Sequence, residues 1–214
     1  MQNNPASIPR TFMALMALLG WLALLAQFYI NVSLKQNPLA EIIIRYFSYF
    51  TILTNLMVAT CYTALLLAPS SATARFFSRQ QTLAAITVYI LIVGLIYNTI
   101  LRFLWSPKGL QAVVDELLHA VIPALALILW LLYAGKNKLQ WKDTLPWLIY
   151  PLAYIIYILL RGSISGFYPY PFIDKTVLGM NTVLVNAAWI TLLFIIISLV
   201  FVALGKAISK RQRQ

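Results

Sequence analysis

Six apolar runs, near residues 11–33, 45–68, 82–104, 111–134, 145–161 and 180–204, alternate with short polar connections. A hydrocarbon core of about 30 Å takes roughly 20 helical residues to cross, so the pattern predicts an all-α fold: an integral membrane bundle of six transmembrane helices. No connection is long enough to house a second domain, and no internal repeat of the kind that marks many transporters is visible. A single domain over residues 1–214 is expected. The first run follows a polar leader with Arg10 but lacks an Ala-x-Ala cleavage pattern before the next polar loop, which predicts a retained helix rather than a signal peptide.

Composition agrees with the pattern, since 62% of residues are hydrophobic and only 10% charged, outside the soluble range. The net charge of +11 is unevenly distributed. With the N-terminus inside, Arg10, Arg75, Arg79, Lys136, Lys138, Lys142, Lys206, Lys210, Arg211 and Arg213 fall on the inner side. Lys35, Arg45, Arg102, Lys108, Arg161 and Lys175 fall on the outer side. Ten cations against six predict both termini in the cytoplasm, in a multi-pass protein of the cell inner (plasma) membrane. Four of the five acidic residues, Glu41, Asp115, Glu116 and Asp174, are then outer, and only Asp143 is inner. Cations scattered over short loops and a short tail fit anionic lipid head groups and lack the stripe with stacking aromatics of a nucleic-acid binder. Membrane lipids and a lipid-like substrate are the expected partners.

No metal or other cofactor is expected. Cys61 is the single cysteine and lies mid-helix, which excludes an internal disulfide and a CxxC site. One histidine cannot supply bis-histidine haem ligation, and neither an HExxH motif nor a carboxylate cluster is present. Gly162-Ser-Ile-Ser-Gly166 has Ile164 where a nucleophile elbow needs serine.

The inner connections, with Pro69, Ser70 and Ser71 and with the stretch from Gly135 to Asp143, read as short helix-to-helix turns. The outer stretch from Arg161 to Asp174 combines glycines, prolines and aromatics. It is either a surface or re-entrant loop anchored by Tyr and Phe, or a lid over a site that opens outward.

His119 stands inside the apolar segment from Leu117 to Tyr133. An ionisable side chain at membrane depth is costly and marks a functional site by default. Counted from the outer span ends, Thr51 lies about six residues into the second span and His119 about eight into the fourth, roughly 9 to 12 Å deep at about 1.5 Å per residue. Asn98 on the third span and Asn186 on the sixth fall in a similar layer. A threonine hydroxyl beside a neutral imidazole has the parts for nucleophilic catalysis. Asp115, four residues before His119, shares its helix face and can fix the imidazole tautomer as a triad acid does. Asn98, Asn186 or Arg102 can donate to a developing oxyanion, and Arg102 or Arg161 can receive a substrate carboxylate. The structural alternatives are interhelical glue for Thr51, Thr54, Asn55, Asn98 and Asn186, and snorkelling for Arg45, Arg102 and Arg161.

Three islands, Tyr49-Phe-Thr-Ile-Leu-Thr-Asn-Leu56, Leu117-Leu-His-Ala-Val-Ile-Pro123 and Tyr168-Pro-Tyr-Pro-Phe-Ile-Asp174, carry a resemblance to the bacterial branch of the androgen-induced protein family. The resemblance spans roughly Trp21 to Phe201. It implies six helices with both termini cytosolic and a threonine hydrolase acting on fatty acid esters of hydroxy fatty acids, with Thr51 as nucleophile and His119 as the essential histidine. Asp115 and Glu116 match no motif of that family. The reading from another class is a small transporter or lipid-binding protein in which His119 lines a polar pathway.

Overall fold

The computed structural model describes residues 8–211, among which no strand is found. Arg213 of the cation count lies outside them. The helices are α1 (Arg10–Ser33), α2 (Leu39–Tyr46), α3 (Phe50–Leu67), α4 (Ala72–Phe77), α5 (Gln80–Thr99), α6 (Leu110–Glu116), α7 (Ile122–Tyr133), α8 (Thr144–Trp147), α9 (Ile149–Ser165), α10 (Lys175–Leu178) and α11 (Met180–Arg211). A π-helical turn, Leu117–Val121, joins α6 to α7. Six helical stretches are long and apolar enough to cross a membrane: Arg10–Ser33, Phe50–Leu67, Gln80–Thr99, Leu110–Tyr133, Trp141–Ser165 and Met180–Arg211.

Several boundaries differ from the sequence reading: the sixth span continues past 204 to Arg211, the fifth begins at Trp141, and three others have a local reason. The second span starts at Phe50, not near 45, because Leu39–Tyr46 folds as a separate short helix behind Pro38 and the chain turns through Phe47–Tyr49. The third ends at Thr99, where Ile100 leaves helical geometry and a 3₁₀ turn, Leu101–Leu104, follows. The fifth continues to Ser165, so Gly162 is helical, and Gly166 closes the helix in the left-handed conformation with φ of 69°.

In the bundle α5 is central: two thirds of its apolar window (67%) is buried, against 11% for the span containing α9. Helices α1 and α3 pack closely at Gly20, where a Cβ would lie 2.9 Å from that of Ala59. Small residues at such a crossing let two backbones pack without bulky side chains between them. Away from the core the spans present apolar residues outward, including Leu18, Leu22 and Leu25 on α1 and Ile156, Leu160 and Ile164 on α9. A ring of exposed leucine and isoleucine around backbone that is hydrogen-bonded within each helix is what a lipid environment requires.

One end of the bundle carries α2 and the connections 100–109 and 166–179. There Tyr46 donates to the carbonyl of Leu24 over 2.7 Å, tying α2 to α1. Glu41 pairs with Arg45 at 2.6 Å and Arg161 at 3.4 Å, and both guanidiniums lie over the Phe167 ring, 4.5 and 4.9 Å from its centroid. The hydrogen bond from Arg45 holds the Glu41 carboxyl below its ordinary range. Gly162 leaves room for Tyr168, whose ring occupies the place a Cβ would take, so the loop after α9 folds back onto its own helix.

Candidate active site

The backbone around His119 is shaped by Pro123. Proline has no amide hydrogen and its ring crowds the carbonyl four residues earlier, which is that of His119. The helix widens into the π turn, with the Ile122 amide bonding back to the Leu117 carbonyl. The carbonyls of Leu118 and His119 thereby lose their usual partners. Asn55 of α3 donates to the first over 3.3 Å and Asn98 of α5 to the second over 3.0 Å. Gly94 allows this approach, since a Cβ there would lie 3.0 Å from the His119 carbonyl oxygen and 3.0 Å from the Pro123 Cβ. Single π turns inside α-helices occur frequently at functional sites.

The imidazole is fixed as firmly as its backbone. Its Nδ1 lies 2.9 Å from the Asp115 carbonyl oxygen and 3.3 Å from Asp115 Oδ1. Two acceptors at one nitrogen place the proton on Nδ1 and leave Nε2 as the basic nitrogen. Tyr97 stacks on the ring with centroids 3.9 Å apart and planes at 16°, and its hydroxyl donates to Asp115 Oδ2. Trp105 donates in turn to the Tyr97 hydroxyl over 3.3 Å.

Because α3 begins at Phe50, Thr51 sits in its first turn, where amides have no partner within the helix. Tyr170 supplies one: its hydroxyl accepts from the Thr51 amide over 3.3 Å and lies 3.4 Å from Thr51 Oγ1. Burial pushes the Tyr170 phenol up to about 12, so it keeps its proton at neutral pH. No hydrogen bond joins Thr51 Oγ1 to His119 among the described residues; the two face one cavity instead.

That cavity, about 610 Å³, is walled by Thr51, Asp115 and His119 together with Tyr97, Tyr170 and the polar residues Gln27, Asn31 and Gln111. A second, narrower space of about 80 Å³ runs among α5, α9 and α11, lined by Ile92, Ile96, Ala187, Ile190 and Phe194. Thr51, Leu101 and Tyr170 belong to both walls. Thr51 therefore stands at the junction of an apolar slot and a chamber whose largely apolar wall carries a set of polar side chains. Among the described residues no group of His, Cys, Asp and Glu is arranged to hold a metal ion.

The four residues expected to bind substrate or an oxyanion line neither space. Asn98 is consumed by the Gly94 and His119 carbonyls and by Arg102 Nε at 2.9 Å. Arg102 pairs with Glu116 at 2.6 Å. Asn186 holds the Phe172 carbonyl at 2.8 Å, and Arg161 holds Glu41 and Phe167. Each of the four is bonded within the chain. The residues that sequence reasoning missed are Tyr97, Tyr170, Gln27, Asn31 and Gln111. Tyr97 had a signal in its position beside Asn98; Tyr170 lay in an aromatic loop and in the third island of the resemblance, which pointed to no role for it. Compared with known proteins, the chain matches no family model, no curated protein and no solved structure.

Proposed function

We propose that the protein is a membrane-embedded hydrolase of lipid esters, with Thr51 as nucleophile and His119 as general base. The observation that carries this reading is the shared wall: Thr51 and a histidine oriented by a buried aspartate open onto one chamber, with an apolar slot adjoining the threonine. The resemblance at Tyr49–Leu56 and Leu117–Pro123 selects the same pair. Thr51 Oγ1 attacks the ester carbonyl carbon and its proton passes to His119 Nε2. The tetrahedral intermediate is held by the Tyr170 hydroxyl and the first-turn amides of α3. Collapse breaks the ester C–O bond, and the alcohol leaves with the proton from Nε2. Water then attacks the acyl-threonine, again giving its proton to Nε2, and the carboxylic acid departs as Thr51 is restored. In the free protein the hydroxyl pairs with Tyr170 rather than the imidazole, so the first proton transfer runs through one bridging water or a turn of the Thr51 side chain as the ester enters. By the cation count both termini are cytoplasmic and the chamber opens toward the outer leaflet.

The pairing of Thr51 with Tyr170 favours a second reading, in which His119 activates water directly and the two hydroxyls hold the oxyanion. Treatment of the full chain with a fluorophosphonate probe separates them. Labelling at Thr51, lost in Thr51→Ala, is expected for the nucleophile. Ester cleavage without labelling points to activated water. Neither labelling nor cleavage returns the protein to the transporter or lipid-binding class, where flux would depend on His119 and tolerate loss of the Thr51 hydroxyl.

A further inference from the structure

The chamber wall includes a cluster of neutral amides that the hydrolytic steps leave unused. Gln27 of α1 and Gln111 of α6 bond reciprocally, Gln111 Nε2 to Gln27 Oε1 at 2.8 Å and Gln27 Nε2 to Gln111 Oε1 at 3.2 Å. Gln27 Nε2 also donates to Asn31 Oδ1 at 2.9 Å. Both hydrogens of Asn31 Nδ2 remain unshared among the described residues, and each glutamine oxygen retains a lone pair. The cluster therefore presents fixed donors and acceptors to anything in the chamber.

Charge narrows what that occupant can be. No lysine or arginine lines the chamber or the slot. Arg45 and Arg161 pair with Glu41 and lie over Phe167, while Arg102 lies behind the wall, over the ring of Tyr97 at 5.4 Å, and pairs with Glu116 and Asn98. Lys35, one residue past Leu34 of the wall, is exposed. Asp115 is the wall's one acidic residue. A substrate carboxylate brought here would find no cation in the wall and would share the space with an aspartate, an arrangement that opposes binding.

Building on the hydrolase reading, we infer that the substrate is an ester of a neutral, hydroxyl-bearing alcohol, of the acylglycerol type. Its free hydroxyls bond to Gln27, Asn31 and Gln111, its carbonyl meets Thr51 at the junction, and the first methylenes of its acyl chain enter the apolar slot. Hydroxyl groups suit this wall because each both donates and accepts, as the amides do. A site built to hydrogen-bond a hydroxyl also rejects ligands that leave its polar groups unpaired.

The test measures kcat/KM of the full chain in mixed micelles on three esters: 1-palmitoylglycerol, the palmitate ester of a hydroxystearic acid, and the N-methylamide of that same acid ester. The neutral amide and the glycerol ester are expected to be cleaved at least about tenfold faster than the free acid, a single tenfold step being what one unpaired buried polar contact costs. Gln111→Leu is expected to slow the glycerol ester about five- to tenfold and spare the amide. Asn31→Arg, which leaves the glutamine pair intact, is expected to raise the free-acid-to-amide ratio about tenfold by supplying the missing cation. A free acid cleaved as fast as its amide, or a ratio unmoved in Asn31→Arg, overturns the inference while leaving the hydrolase standing. Cleavage of none of the three esters overturns the hydrolase reading and this inference with it.

Discussion

Asn98 donates to the carbonyl of His119 over 3.0 Å, the carbonyl that Pro123, lacking an amide hydrogen, cannot bind. Pro123→Ala restores the amide and lets the helix close toward α geometry, which rotates the imidazole away from its place in the wall. The expected result is a Tm in detergent equal to or above the parent, with ester cleavage lower by about 10²-fold, the cost of a misplacement near 1 Å. Asn98→Leu leaves the carbonyl unpaired. It is expected to lower stability by about 1 kcal/mol and activity along with it.

Asp115→Asn keeps the shape of the buried side chain but can turn an amide toward Nδ1, favouring the wrong tautomer. A loss of about 10³- to 10⁴-fold in kcat is expected, with KM nearly unchanged. Tyr97→Phe keeps the ring stacked on His119 and removes only the hydroxyl bonded to Asp115. Its expected loss is smaller, about tenfold, and Tyr97→Leu, which removes the stacking too, falls between the two.

Tyr170→Phe strips the first-turn amide of Thr51 of its partner. It is expected to reduce kcat by about 10²- to 10³-fold through the loss of an oxyanion donor, while KM changes little. Stability is expected to fall by about 1–3 kcal/mol because a buried amide is left unpaired. Burst kinetics with a chromogenic ester locate the effect in the acylation step.

Ala187→Phe fills the apolar slot without touching the chamber. Cleavage of a palmitoyl ester is expected to fall at least about tenfold while a butyryl ester is spared, since overpacking excludes methylenes rather than the carbonyl. A series of acyl chain lengths reads the change directly as a shift in optimum.

The six spans were legible because an apolar run of about 20 residues has few alternatives in a chain of this composition. His119 was legible for the related reason that a lone ionisable group is conspicuous there. Asp115 followed from helical spacing, and the structure sets its carboxylate 3.3 Å from Nδ1. The depth of Thr51 was misread by several residues, since hydropathy alone does not separate the short helix Leu39–Tyr46 from the span it precedes. Asn98 and Arg102 carried a polar signal without a direction. Which of a polar side chain's neighbours it bonds to depends on interhelical rotation, and the periodicity of one helix does not contain that. The π turn was likewise invisible in composition, although Pro123 was its cause.

The two freed carbonyls beside His119 are gripped from different helices, by Asn55 on α3 and Asn98 on α5. Thr51 rides on the same α3, one turn before Asn55, whose amide also binds the Thr51 carbonyl at 2.9 Å. One asparagine side chain thus links the backbone of Thr51 to the backbone at Leu118, the residue before His119. Sliding of α3 against the fourth span is resisted at this asparagine, so the register of the Thr51 backbone against that of Leu118 and His119 is set by the protein rather than by the thickness of the surrounding lipid.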